Sequence, residues 1–438
     1  MSTYEVLTEL QNEASPRRAG TSGEALAQEW LLDRCTALEI PAETDEFRFI
    51  GSEIYRPVIQ LVIVVLVTLS IAAAFLGYPL AGGVTLLLTF FFFFYPLSRL
   101  EERLAGSKSR NILAGLDRPL SAYVEEKDKK SAVLLCAHYD TPRNFPSYTK
   151  KLRKLTRVFG PLGLLGLVLY GAYTILLAGA YLVGAFVWPV LKTFLIAMAP
   201  YINWLALIMA LPLLVLLTFS SFSLLLSKSS DSPGADDNGS GTAMVLELAK
   251  RLKASPPQNL AVFFAWWGAE ELGLFGSRQF VRRYHKQLER DKLYLINIDC
   301  VGVGQYLAVT TGVGTIKRHP SDSGSVSLLE ELAAKQAIPT IRTWGSIISG
   351  GSSDHATWME RGFDQAVSLI RENYRPLSIP ANVFAWLLRI PDASQFEIDH
   401  VHTSADSVEG INSKILEETA NLAEEYIHAI DRTLSPDE

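Results

Sequence analysis

FFAWWGAEELGLFGS, residues 263–277, carries the pattern that decides the fold. With Leu260, Ala261 and Val262 ahead of it, the run to Trp267 is apolar without interruption, as a strand buried on both faces of a sheet requires. It breaks at Gly268 and delivers two adjacent carboxylates, Glu270 and Glu271. Paired glutamates on a surface helix are commonplace. At the end of a buried strand they are costly unless paired or bound to metal. One of them can ligate a metal while the other, pointing elsewhere, serves as general base on a water that the metal polarises.

The same texture recurs along the polar parts of the chain. Strand candidates are 131–137, 260–267, 293–299, 306–311 and 364–370. Between them, Met244, Val245, Leu248, Ala249 and Leu252 repeat at helical spacing; 325–337 repeats the pattern, and 410–434 reads as a long terminal helix. Such alternation predicts an α/β fold with a mainly parallel mixed sheet flanked by helices. Sites in these folds sit at the carboxyl ends of strands. No internal repeat is detectable.

Four further motifs fall at those strand ends or at turns. LLCAHYDT (134–141) places His138 after an apolar strand and Asp140 two residues on, so both can share a side and the carboxylate can fix the imidazole's tautomer. SPGADDNGSGTAM (232–244) sets Asp236 and Asp237 on a glycine-rich turn into a helix, where a carboxylate can bridge two metal ions. LYLINIDCVG (293–302) ends another buried strand on Asp299, and DHVHTSADS (399–407) alternates His400 and His402 before a turn. Each has a bland structural explanation alone. Together, two imidazoles and three or more carboxylates suit zinc in a two-metal hydrolytic site.

The net charge of −6 argues against a nucleic-acid-binding surface. Three widely spaced cysteines, Cys35, Cys136 and Cys300, point to a reducing compartment rather than a disulfide framework. The N-terminus lacks the basic start and short apolar core of a signal peptide, so the first membrane segment is expected to direct insertion. Residues 57–77 and 80–98 each meet the length of a span and form a hairpin around Tyr78-Pro79. The block 158–226 holds two long helices (160–187 and 203–226) with an interfacial piece between, or three shorter ones. Arg56, Arg99, Arg103, Lys108 and Arg110 flank the first hairpin; Lys150, Lys151, Arg153, Lys154 and Arg157 crowd the entry to the second block, and Lys228 follows it. The internal turns carry only Lys192. Positive-inside bias therefore predicts an integral membrane protein with a cytoplasmic polar domain.

The pieces AHYD, GADDNGSG, EELGLFGS, NIDCVG, GGSSDHATW and VHTSADS resemble, in order, the co-catalytic dizinc aminopeptidase family, which also contains glutamate carboxypeptidase and, with one zinc, glutaminyl cyclase. SPRRAGTSGEALAQEWLLDR (15–34) is similar to that family's opening helix. The resemblance implies two zinc ions held by His138, Asp237, Glu271, Asp299 and His402, with Asp237 bridging, Glu270 as general base and Asp140 orienting His138. His400 is the second choice as ligand, and Asp354 and His355 would line the substrate pocket. It implies a peptidase domain split into 1–55, 99–157 and 228–438 by a transmembrane hairpin at 56–98 and a block at 158–227. Because His138 and Asp237 must reach one metal pair, an even number of spans lies between them: two there, four in all. The function expected is hydrolysis of N-terminal residues from peptide substrates by a protein seated in the lipid bilayer. A single-zinc glutaminyl cyclase and an inactive membrane scaffold are the alternatives. Residues 383–390 read as a buried helix, a lid or a membrane-surface contact.

Overall fold

The structure is a computed structural model of the chain and describes residues 2–51, 55–94, 105–127, 129–144, 150–183, 189–226, 230–346, 352–375, 377–396 and 400–434. Helices α1 (Thr3–Ala14) and α2 (Ser22–Ala37) precede strand β1 (Ala42–Phe49). A helical hairpin, α3 (Tyr55–Phe75) and α4 (Pro79–Phe94), leads into β2 (Ser107–Gly115), α5 (Leu120–Glu125) and β3 (Ala132–His138). A second hairpin, α6 (Lys150–Val183) and α7 (Pro189–Leu226), is followed by α8 (Gly241–Ala254), β4 (Ala261–Trp267), α9 (Phe275–Tyr284) and β5 (Leu293–Ile298). The remainder is β6 (Tyr306–Val313), β7 (His319–Pro320), α10 (Ser323–Lys335), β8 (Thr340–Gly345), α11 (His355–Met359), β9 (Ala366–Glu372), α12 (Ile379–Leu387) and α13 (Ser413–Thr433).

Nine of the described strands form one mixed sheet in the order β1-β2-β4-β3-β5-β9-β6-β7, with β8 also paired to β6; Tyr374–Arg375 and Gln395–Phe396 pair separately. Its centre, β4-β3-β5-β9, is parallel. The flanking pairs β1-β2, β2-β4 and β9-β6 are antiparallel. Alternation along the central strands feeds two cores. Leu135, Phe264 and Ile296 face one side, closed by α1, α2, α8, α10 and α13 through residues such as Leu7, Trp30, Leu248, Leu329 and Tyr426. Leu134, Phe263 and Leu295 face the other, closed by Tyr123, Phe280 and Trp358 of α5, α9 and α11. Both faces are covered, which is why these strands read as unbroken apolar runs. The flanks do not: β1 is AETDEFRF, a charged edge strand with only Phe47 and Phe49 buried, and β2 opens on SKSR. Charged edges of this kind deter further strand pairing.

Among the described residues, three helices hold stretches long and apolar enough to cross a membrane: Val58–Phe75, Lys154–Tyr181 and Val190–Phe222. Pro79–Thr89 of α4 is a shorter apolar helix; residues 95–98 of the expected second span lie outside the described residues. The seam where the hairpins meet buries Ile71, Leu86, Tyr170 and Ala210, while Leu176, Ile208 and Val215 are exposed. Between His138 and Asp237 there are two long helices, and α7 is continuous through Pro200 and Pro212 instead of starting near 203 after an interfacial piece. Residues 184–188, at their junction, lie outside the description.

Both hairpins are attached at one end of the sheet. β3 runs into α6 at the end where the parallel strands finish. β1 and β2 extend past that end, since Phe49 pairs with Ser107, five residues beyond the Ile112–Trp266 pair.

Candidate metal centre

Three strand ends and two loops supply the candidate ligands. β3 ends on His138, β4 delivers Glu270 and Glu271 after Gly268, and β5 is followed directly by Asp299. Ala269, Cys300 and His402 are left-handed (φ 53°, 52° and 59°), which turns the chain sharply at each place. Non-glycine residues tolerate this only where surroundings hold them. Asp237 comes from the turn before α8, its side chain presented between the strand ends.

The geometry converges on Asp237. Its Oδ1 lies 3.3 Å from His138 Nε2, which is itself 3.5 Å from Asp299 Oδ1. Its Oδ2 lies 3.0 Å from His402 Nε2, which is 3.5 Å from Glu271 Oε2. Two groups of donors therefore share one carboxylate, one oxygen to each. Glu270 Oε2 is 3.9 Å from His138 Nε2, at the margin of the first group. Ligand atoms of His138, Asp237 and Glu271 lie within 4.8 Å of one another, and so do those of Asp237, Asp299 and Cys300. The five first-choice ligands, His138, Asp237, Glu271, Asp299 and His402, are thus brought to one place.

The support comes from behind. Asp140, fully buried, accepts hydrogen bonds from the backbone N–H of Glu270 (3.0 Å) and Glu271 (3.3 Å), so it fixes the turn carrying both glutamates. Its carboxylate is 3.6 Å from His138 Nδ1, whereas its backbone carbonyl is nearer, at 3.1 Å. The carbonyl is the better acceptor, and it leaves the Nε2 lone pair facing the carboxylates. His400 turns away from the centre and pairs with Asp236 at 2.8 Å.

Sequence reading missed several supports. Asp406 accepts from the N–H of Asp236 and of Asp237 and so presents the shared carboxylate. Arg17, fully buried, donates from Nε to the Tyr139 carbonyl and from its guanidinium to the Gly234 carbonyl, clasping the two stretches that flank the α6–α7 insertion. Gly234 sits at φ 65°, and a Cβ there would meet Thr141 and the Asp237 carbonyl. The signals were present, Asp406 inside VHTSADS and Arg17 inside SPRRAG, but only packing reveals their partners. Cys300, also unforeseen, is a buried thiol whose pKa is pushed well up by burial and then by Asp237 and Asp299.

Charge decides what the centre can hold. Asp140, Asp237, Glu270, Glu271, Asp299 and Asp354 surround two imidazoles. Burial, then the neighbouring carboxylates, pushes Glu270 and Glu271 well above the ordinary range against the pull of His138. Burial also opposes the imidazolium of His138, but Glu270 and Asp299 outweigh it and hold its pKa high. For Asp237 burial is overcome by His138 and His402, which hold its carboxyl very low. Asp299 Oδ1 is buried without a hydrogen-bond donor among the described residues. Such an excess of buried acid calls for cations, and imidazole with carboxylate donors suits zinc. Asp354, which accepts from Ser277 Oγ, is pushed up to about 7 by burial, and the fully buried His355 is lowered to about 4 by the same cause. The loop joining them to β8 includes 347–351, outside the described residues.

Comparison with known proteins bears on the same stretch. Residues 221–427 match the Peptidase family M28 profile, which contains all the candidate ligands except His138. This segment is a peptidase family M28 domain. The chain is 33% identical over 192 residues to aminopeptidase YwaD of Bacillus subtilis, covering 44% of this chain and 36% of that protein. It is 35% identical over 147 residues to leucine aminopeptidase 2 of Arthroderma otae, covering 32% and 28%. The chain therefore spans roughly a third of the length of these curated relatives. In fold it is similar to a glutaminyl cyclase from Porphyromonas gingivalis (TM-score 0.53, 14% identity, 98% and 97% of the chains covered). It is also similar to a Zn-dependent exopeptidase from Parabacteroides distasonis (TM-score 0.50, 14% identity, 98% and 97%).

Proposed function

We propose that the chain is a membrane-anchored, two-zinc aminopeptidase. The observation that carries this is Asp237, whose Oδ1 faces His138, itself beside Asp299, and whose Oδ2 faces His402, itself beside Glu271. Those five side chains would hold the metal pair. When bound, the pair supplies positive charge that polarises the scissile carbonyl and acidifies water. Glu270, with Oε2 3.9 Å from His138 Nε2, is a carboxylate outside that set of five and at its margin. It accepts a proton from the attacking water and returns it to the departing amine. Burial favours that role, because it raises the carboxylate's basicity. Asp140 holds the backbone of Glu270 and Glu271, and Asp406 holds that of Asp237.

In this reading the M28 domain is built from 1–55, 99–157 and 228–438, with spans at 56–98 and 158–227, four in all. Positive-inside charge places the domain on the cytoplasmic side. The test is hydrolysis of aminoacyl reporters by the detergent-purified chain. Activity should vanish with chelator, return with zinc, and be absent on N-acetylated peptide. Chelator-resistant turnover, or conversion of N-terminal Gln alone to a cyclic product, would overturn the reading; the second result favours a glutaminyl cyclase.

A further inference from the structure

The excursion between β9 and His402 contains α12, IPANVFAWL, a helix with no charged residue. One stripe, Ala381, Phe384 and Ala385, packs with Trp344 against Leu164 and Leu165 of α6. The opposite stripe is open and, apart from exposed Asn382 at its edge, apolar: Ile379 is 81% exposed, Trp386 74%, and Val383 and Leu387 are exposed as well. The spacing 379, 383, 386, 387 is that of one helical face. A helix apolar on both faces with only one covered by protein needs a second apolar neighbour.

Its level along α6 says which. The sequence carries five cations from Lys150 to Arg157, and positive-inside bias sets such a stretch outside the hydrocarbon. Leu164 and Leu165 follow within about 12 Å of Arg157, at a rise of about 1.5 Å per residue. So α12 packs where α6 enters the bilayer, not along its middle. Beside it, the loop after β6 offers Ile316, 84% exposed, with exposed Lys317 and Arg318, and Arg318 donates to the Leu388 carbonyl at the end of α12. Exposed Arg389 follows. Apolar stripe, Trp and basic rim together are the make-up of an interfacial helix on an anionic leaflet.

We propose that α12 and the 316–318 loop lie in the membrane–water boundary and hold the metal-bearing end of the sheet against the bilayer. This rests on the membrane-anchored aminopeptidase reading above. Both described apolar hairpins leave from that same sheet end, and the α12 excursion precedes His402 in the chain. The substrate class that fits is a peptide N-terminus presented at the membrane surface, as on a membrane-tethered chain.

Two measurements test it in proteoliposomes of the full chain. A Trp386→Cys variant carrying an environment-sensitive fluorophore should be quenched by lipids with a spin label near the headgroup and shielded from aqueous iodide. Free iodide access in the vesicle overturns the proposal, as does shielding that persists in detergent and depends on protein concentration, which would mean a second copy covers the stripe. This readout needs no catalysis, so it can fail or succeed independently of the peptidase reading; resistance to carbonate extraction checks the spans themselves. The Ile379→Ser, Trp386→Ser double variant should lose about tenfold in kcat/KM on a lipid-anchored peptide while hydrolysing a soluble aminoacyl reporter at the parent rate. Equal loss on both substrates, or none on either, contradicts the substrate class.

Discussion

The centre of the sheet and the helical hairpins are composed of nearly the same residues, yet one is an interior and the other a surface. Phe264 and Leu135 are buried under helices on their side of the sheet, whereas Leu176, 62% exposed, faces outward from α6 with no protein over it. Packing density distinguishes them, not hydrophobicity. In the sheet, both faces are closed and the only way out is along the strands, so polar groups gather at strand ends. In the hairpins the apolar surface is open, and under the membrane-anchored reading proposed above lipid covers it.

The sharpest way to break this contrast is at the strand ends. Glu270→Gln should lower kcat by about a hundredfold to ten-thousandfold while zinc stays bound; stopped assays with metal analysis on the same sample check both halves. A variant turning over at parental rate removes Glu270 as base. Next, Asp406→Ala deletes the acceptor that presents Asp237 and should weaken zinc affinity about 10–100-fold, read by competition with a chromogenic chelator.

Interior and surface can then be set against each other directly. Phe264→Ala should cost about 3–5 kcal/mol of stability, from lost burial and a residual cavity. Leu176→Arg should cost about 3 kcal/mol in membrane insertion. Leu26→Arg, at a site 52% exposed on the sheet domain, should stay within about 0.5 kcal/mol. Carbonate-resistant yield and thermal melts separate the three. If Leu176→Arg behaves like Leu26→Arg, the hairpins do not reside in lipid.

The smallest effect concerns pH. Glu24, buried beneath Tyr139, is pushed up to about 7 by burial, against hydrogen bonds from Ser109, Gly20 and Tyr139. The folded chain then keeps a proton that the unfolded chain releases near its ordinary value of 4.5. Stability from this group is full at low pH, declines between about 4.5 and 7, and is flat above. Glu24→Gln should match the parent near pH 4.5 and exceed it by about 1–3 kcal/mol at pH 8. Equal melts across the range contradict this.

What the sequence disclosed follows the same division. Strands buried on both faces announce themselves, so β3, β4, β5, β6 and β9 were legible, and with them the residues at their ends. The strands β1, β2 and β8 were not, because charged or half-covered strands carry no continuous apolar run. The motif residues His138, Asp237, Glu271, Asp299 and His402 could be named from spacing and resemblance, and the structure draws them together. The clasp by Arg17 and the brace by Asp406 could not, because each depends on a partner more than a hundred residues away. The outward stripe of α12 was open in the sequence, where 383–390 fits a buried helix, a lid or a membrane-surface contact; the exposure of Val383, Trp386 and Leu387 argues against full burial.

The central claim is that chain segments on both sides of the α6–α7 insertion complete one centre for two metal ions. Zinc stoichiometry of the purified full chain tests this most directly. Two ions per chain, falling in both His138→Ala and His402→Ala variants that still fold, is the predicted result; a single ion, or none, would contradict it.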